Sequence, residues 1–459
     1  MASLVANAAV DMTDWNFNDI KNGSITTHSS FKYAISGADG HHFYQFTGSG
    51  LTYDANFKLT GGTVTGLKVV DDHGDTLYTL SGFTMAATLL KTTIGNGDST
   101  GAFEGAAFGD NDTLTGSDHD DVLVGFAGQN VINGGAGDDI IDATKGTLDR
   151  VSGGDGDDTV FAGLLIGSID GGAGYDNVVW NINTSYPLNL SSLFGNIERF
   201  TLLGGPNYFF RADDSFISAN MSMTIDASAL KSNARVYFDG KAEKDGSYEF
   251  IGSAGRDRFW SGDANDTFDM TTGGVDRVHG GAGTNTYFFG ATLTADDRID
   301  GTGGYDQLFL DGDYSAGLTF DSHTMRGVDV AALAAGHSYS LTLNDGNVAA
   351  GDTFTLLSLQ LKGSDTVTFD GSAETDGTFT LSDGYGNDTL LGGQGNDQFI
   401  SVGGTDVITG NAGDDLISFT NGAFDATDTV NGGAGTDELD LLGDYTDGVV
   451  FGANTVRGV

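Results

Sequence analysis

An apolar side chain returns every nine residues along much of this chain. Over residues 107–179 it stands at Leu114, Leu123, Ile132, Ile141, Val151, Val160, Ile169 and Val178, with one inserted residue at Ala143. Between these positions lie Gly-rich stretches such as GGAGDDIID from Gly134, GGDGDDTVF from Gly153 and GGAGYDNVV from Gly171. A helix cannot use this period. Nine residues are two and a half turns, so successive apolar residues would face opposite sides. Gly and Asp are also poor helix formers. A strand of about three residues followed by a turn of about six does fit, with each unit donating one inward side chain to a stack of its neighbours. Gly at positions one, two and four of the unit suits turns with positive φ and lets adjacent backbones approach.

The pattern recurs in two later blocks at an offset of 130 or 131 residues. Position eight is Phe259, Phe268, Val278, Tyr287, Ile299 and Leu308 in one, and Leu390, Phe399, Ile408, Ile417, Val430 and Leu439 in the other. The linking segments repeat too: VYFDGKAEKDGSYEF from Val236 matches VTFDGSAETDGTFTL from Val367. They alternate apolar and polar residues and read as β-rich units continuous with the blocks. The expected organisation is a β-rich N-terminal domain and linker (1–106), a first block (107–179), a linking unit (180–251), a second block (252–310), a linking unit (311–382), a third block (383–441) and the start of another linking unit (442–459). In the first region, GGTVTGLKVVDDHGDTLYTL from Gly61 reads as two strands around a DDHGD turn. The sequence stops about 18 residues into a third copy of the linking unit, which leads us to expect a truncated product or fragment.

Charge changes the picture. The 459 residues carry 20 Lys and Arg against 64 Asp and Glu, a net charge of −44. Nucleic acid and anionic membrane are poor partners for such a surface; cations are good ones. With 73 Gly but only 2 Pro, and with 30 Phe and 15 Tyr, the composition argues for packed structure rather than disorder. Cys is absent, so packing or bound ions must hold the fold together. The N-terminus has no basic segment and does not read as a Sec-type signal, and no apolar run of about 18 residues would span a membrane.

The acids have a fixed place. Position six is Asp112, Asp121, Asn130, Asp139, Asp149, Asp158, Gly167 and Asp176 in the first block. It is Asp257, Asp266, Asp276, Asn285, Asp297 and Asp306 in the second, and Asp388, Asp397, Asp406, Asp415, Asp428 and Asp437 in the third. Residues 107–179 hold 14 Asp against one Lys and one Arg, a net charge of −12. Stacking would bring like charges close, at a cost of roughly 1 kcal/mol per pair even in water. A hard divalent cation reverses that sign, and Ca²⁺ accepts six to eight carboxylate and carbonyl oxygens. With no thiolate, and His only at His119 and His279 in these turns, the donor set argues against zinc or copper.

These nonapeptides resemble the G-G-x-G-x-D-x-U-x repeat of RTX, or haemolysin-type calcium-binding, proteins. The resemblance implies an all-β fold, a right-handed parallel β-roll with several Ca²⁺ ions between coils of two units each. It implies that position-six residues of units i and i+2 share an ion, pairing Asp121 with Asp139 and Asp158 with Asp176. Carbonyls at Gly135, Gly137, Gly154, Gly156, Gly172 and Gly174 would complete the sites. It also implies transit through an ABC-type exporter (type I secretion) and folding outside the cell or at its surface. Asp138 and Asp142, outside the ligand column, are expected to be solvated and dispensable.

Catalytic signatures are sparse. H-E-x-x-H and G-K-[ST] do not occur, and His41 and His42 read as turn residues. GDSTG at 97–101 fits G-x-S-x-G around Ser99, but in a Gly/Thr-rich linker rather than a strand-to-helix elbow. The expectation is a non-catalytic secreted calcium-binding protein with a structural or adhesive surface role, self-assembly and cell-surface polysaccharide being the partners to test. The alternative is an accessory region of a secreted hydrolase or RTX toxin.

Overall fold

A computed structural model describes residues 1–13, 17–96, 102–184, 186–205, 207–301, 303–446, 448–452 and 455–459. The chain divides into two compact units: Met1–Thr184 with Asn189–Gly204, and Ser185–Leu188 with Gly205–Val459. Ser99 lies outside the described residues.

In the first unit every nonapeptide yields one short strand, and successive strands go to alternate ladders. Thr113–Thr115, Val131–Ala136, Arg150–Asp155 and Ser168–Ala173 pair in parallel, aligning Leu114, Ile132, Val151 and Ile169. Val122–Val124, Ile140–Ala143, Thr159–Ala162, Asn177–Trp180 and Arg199–Leu202 form the other ladder, aligning Leu123, Ile141, Val160, Val178 and Phe200. One coil therefore consumes two nonapeptides, and the fold is a parallel β-solenoid. All eight position-eight side chains of this block are buried. Each contributes roughly 1.5–3 kcal/mol by leaving water, which an isolated unit could not realise.

Before the solenoid lies an antiparallel sheet of Ser24–His28, Lys32–Ser36, Phe43–Tyr53, Leu59–Val70 and Thr76–Ala86. The expected hairpin around DDHGD is present: the Asp71 carboxylate accepts the His73 and Asp75 backbone N–H groups at 3.0 and 2.8 Å. Among the described residues three short helices, Phe17–Asn22, Ala87–Asn96 and Ala102–Ala107, accompany an otherwise β fold. Ala87–Asn96 contains Thr92, Thr93 and Gly95, all weak helix formers. Packing decides instead, for Ala87, Leu90 and Thr93, three residues apart, are buried together.

The first residues have a place that their mild apolar pattern did not announce. Ser3–Ala6 pairs antiparallel with Thr76–Ala86 on one side and parallel with Thr113–Thr115 on the other, placing Leu4 between Leu80 and Leu114. Val10 and Met12 then bond to both sides of Val122. Residues 2–12 thus make a coil in all but sequence, and they cover the edge that the first nonapeptides would otherwise expose.

In the second unit one parallel ladder of eleven strands runs from Ser222–Asp226 to Glu438–Leu441. The linking segments are part of the winding. Phe238 of Arg235–Asp239 aligns with Phe259, Phe250 of Ser247–Ile251 with Phe268, and Phe369 of Val367–Asp370 with Leu390. Coils here are often longer than in the first block, and the core is correspondingly aromatic. Phe250 stacks on Phe259 at 4.6 Å and on Phe268 at 5.2 Å, and Phe268 on Tyr287 at 5.0 Å. Such ring pairs add about 0.5–1.5 kcal/mol beyond their area. The position-eight residues of these blocks are buried except Leu439, which is half-buried.

Leu4→Ala should destabilise the first unit by about 2–5 kcal/mol, because it empties a fully buried position at the covered edge. Urea denaturation followed by circular dichroism measures this; a loss below about 1 kcal/mol would contradict the covering role.

Candidate metal centre

Each position-six residue sits where the turn re-enters a strand, and stacking places it directly above its counterpart one coil earlier. The contact is specific. The backbone N–H of Asp121 donates to Asp139 Oδ1 at 2.7 Å, that of Asp139 to Asp158 at 2.8 Å and that of Asp158 to Asp176 at 2.9 Å. Asp112 and Asn130 donate likewise to the side chains of Asn130 and Asp149. The expected pairs Asp121–Asp139 and Asp158–Asp176 are therefore neighbours, but in one continuous column rather than as separate pairs. In the second block Asp266 donates to Asn285, Asn285 to Asp306, Asp257 to Asp276 and Asp276 to Asp297. In the third, Asp388, Asp406 and Asp428 form one column and Asp397, Asp415 and Asp437 another. Gly167 interrupts its column; there the backbone N–H bonds to the Asp149 carbonyl instead.

These bonds use one carboxylate oxygen. The other, Oδ2, is buried without a hydrogen-bond partner in Asp112, Asp139, Asp149, Asp158, Asp176, Asp266, Asp306, Asp415 and Asp437. Nine orphaned anionic oxygens in regular columns call for a cation. The space for it comes from position one. A Cβ on Gly134 would lie 2.1 Å from Asp139 Oδ2 and 2.4 Å from the Gly153 carbonyl oxygen. Gly153, Gly171, Gly392, Gly410 and Gly432 border the same two kinds of oxygen. The missing side chain thus leaves an oxygen-lined cradle between coils, and its carboxylate and carbonyl donors suit Ca²⁺.

The expected role of Gly in positive φ divides. Positions two and four adopt it, as at Gly135 (121°) and Gly137 (105°), whereas Gly134 does not and serves by lacking a Cβ. The carbonyl of Gly135 faces Gly154, that of Gly154 faces Gly172, and those of Gly137 and Gly156 face Gly156 and Gly174. These backbones approach too closely for any side chain. Asn411 takes position two in the third block with φ 76°, as Asn tolerates.

Burial pushes a number of the position-six carboxyls up from their ordinary value. Asp139, Asp158 and Asp176 rise to about 6, Asp266, Asp306 and Asp397 to about 7, and Asp276 to about 8. Desolvation is the leading cause in each, and neighbouring carboxylates add to it.

One expectation is corrected. Asp138 is exposed but not without a role, for its Oδ1 accepts the Asp157 N–H at 2.9 Å while its own N–H donates to Asp120 at the same distance. Position five carries a second ladder, pointing opposite to the first, and its outward carboxylates cap amides that water alone would otherwise serve. Asp142 caps Thr144 at 2.9 Å. The columns also run past the nonapeptides: Asp176 donates to Glu198 at 2.8 Å, and Asp306 to Asp329 at 2.6 Å. The offset of 131 between Glu198 and Asp329 was the available signal. Asp383, at position one of the third block, is buried beside Asp388 and Asp406 and rises to about 9, chiefly through burial.

The family model for the RTX calcium-binding nonapeptide repeat matches residues 107–143, 148–164, 249–269, 270–291, 380–408 and 403–423. This chain carries RTX calcium-binding repeats. The matched segments fall in all three blocks, and RTX repeats bind Ca²⁺. Among curated proteins no match to the chain was found. The cradle between RTX coils fits that ion, with position-six Oδ2 atoms as the anionic donors and turn carbonyls as the neutral ones.

Outside the RTX coils, His41 bonds to Asp72 at 2.9 Å and His42 to Asp39, in an exposed turn. His119 is exposed, and His279 pairs with Asp300 at 3.2 Å. A cavity of about 340 Å³ in the N-terminal region is lined by Lys21, Lys58, Lys91, Tyr33 and aliphatic side chains.

Stability should depend on pH with opposite sign in the two calcium states. Without calcium, the folded carboxyls hold protons up to about 6–8 whereas the unfolded chain releases them near 3.8, so stability falls as pH rises through that window. With calcium the ionised form is required, so stability falls as pH drops through the same window. Thermal melts at about pH 5 and pH 8, with EDTA and with calcium, test this; parallel trends would contradict it. Gly134→Ala should raise the calcium midpoint by about tenfold, as read by calorimetric titration.

Proposed function

We propose that the protein is secreted and folds on calcium outside the cell, serving as a non-catalytic structural or adhesive component of a bacterial surface. The observation that carries this reading is the column of buried carboxylates, each with one oxygen tied to the coil below and one left for an ion. Such a column is poorly stable where calcium is scarce and well stabilised where it is abundant. Extracellular modules bind calcium with Kd of about 10⁻⁴ to 10⁻³ M. At ten times Kd each site adds roughly 1.4 kcal/mol, so about six sites add roughly 8 kcal/mol. That is comparable with the whole stability of an ordinary domain, about 5–15 kcal/mol. Calcium is thus a switch for folding rather than an ornament of it. Repetition of a 131-residue unit suits a scaffold whose product is extended surface.

The expected outcome of a calcium titration is a cooperative gain of strand signal by circular dichroism, reversed by EDTA. Sedimentation in parallel tests self-assembly: association of the loaded form supports the surface role, and a strictly monomeric loaded form counts against self-assembly. Circular dichroism unchanged by EDTA would overturn the folding switch.

A further inference from the structure

The 131-residue offset relates more than the nonapeptides. Of the 64 acidic residues six are Glu, and two of these, Glu243 and Glu374, stand 131 apart and are fully buried. Both lie in linking segments, outside the residues matched by the RTX model. Each begins a turn that holds one of its carboxylate oxygens in a nest of backbone N–H groups. Glu243 Oε1 accepts from Lys244 and Gly246, both at 3.1 Å; Glu374 Oε1 accepts from Thr375, Asp376 and Gly377 at 3.1, 3.2 and 3.0 Å. The other oxygen, Oε2, is buried without a partner in both. A desolvated carboxylate oxygen without a counter-charge is costly, and here the arrangement occurs twice.

Around each Glu the same two acids converge. Asp214 and Asp245 join Glu243, and Asp345 and Asp376 join Glu374, with one carboxylate oxygen of each residue within 4.8 Å of the others. The partners too are 131 residues apart. The backbone that presents them is fixed alike, by Asn220 N–H to the Asp245 carbonyl and Gly351 N–H to the Asp376 carbonyl, both 2.9 Å.

We propose that Glu243 with Asp214 and Asp245, and Glu374 with Asp345 and Asp376, form two further calcium sites, distinct in make from the nonapeptide cradles. Three carboxylates from two loops supply the charge, and water completes the six to eight oxygens that Ca²⁺ takes. Donors are all oxygen, which disfavours zinc and copper. The exposed Asp partners leave an entry path that a nonapeptide cradle, closed between coils, does not have. The sites differ in one respect. In the first, the Lys244 ammonium bonds to Asp214 at 3.0 Å and competes with a cation. In the second, Thr375 takes that place and donates to Asp345 through its backbone N–H at 3.0 Å and through its hydroxyl. The Glu374 site therefore fills at lower calcium than the Glu243 site. Neither depends on the assignment of ligands in the nonapeptides.

The test counts calcium bound per full-length chain at saturation by equilibrium dialysis, with circular dichroism as the control for folding. Glu243→Gln and Glu374→Gln should each bind one ion fewer than wild type, and the double variant two fewer. The same losses in a chain whose Asp139→Asn variant keeps the wild-type count would support these sites while speaking against the nonapeptide ligands. A folded double variant that retains the wild-type count overturns the proposal. If the Gln variants fail to fold, Asp245→Asn and Asp376→Asn, at exposed positions, should weaken one site each; binding curves identical to wild type overturn it. Lys244→Thr should tighten the Glu243 site towards the other, and an unchanged or weakened curve would refute the competition.

Discussion

Everything in the solenoid depends on a hydrogen bond between a side chain and the backbone of the coil before it. The position-six carboxylate accepts an N–H from the preceding coil, so the same contact sets the stacking, buries the charge and aims the second oxygen. A charged acceptor makes this a strong bond, roughly twice a neutral one. It also explains why Asn130 and Asn285 can stand in the column. The amide oxygen accepts the same N–H, as in the bonds from Asp112 and Asp266, while contributing no charge. The column is therefore tolerant in geometry and adjustable in charge. In the aligned stack a bound calcium ion would neutralise oxygens that the backbone has no means to satisfy.

Much of this was legible in the chain because the period exceeds any ambiguity of local propensity. Leu123, Ile141 and Val160 announced a stacked core, and Asp121, Asp139 and Asp158 a column beside it, since nine residues fit neither helix nor simple strand. The lesser residues were not legible for a physical reason. Position-five Asp138 looks like any surface acid, because its partner is a backbone amide on another coil and backbone amides leave no mark in a sequence. Gly134 and Gly135 look alike, although Gly135 is needed for its own positive φ and close stacking, and Gly134 for the space where its Cβ would be. Distinguishing them required the third dimension.

The N-terminal strand was hidden differently. Ser3–Ala6 carries no nonapeptide and yet occupies the place of one, since a ladder needs only backbone and an inward Leu4. The helix Ala87–Asn96 was hidden by composition, its Thr and Gly arguing for a loop while its buried Ala87 and Leu90 answer to the sheet beneath. In both cases tertiary contact outweighed local preference.

The placement of Ser3–Ala6 has a consequence for the order in which contacts form. Its parallel partner, Thr113–Thr115, lies some 110 residues further along the chain, and the loop that joins them must close before the pairing is rewarded. Adjacent coils, by contrast, are separated by about 18 residues and can wind locally. Seating Ser3–Ala6 and the residues after it therefore carries a larger loop-closure cost than pairing adjacent coils. Until they dock, the first coil keeps an open strand edge that another chain could adopt, so the time between winding and docking sets the exposure of the molecule to misassembly.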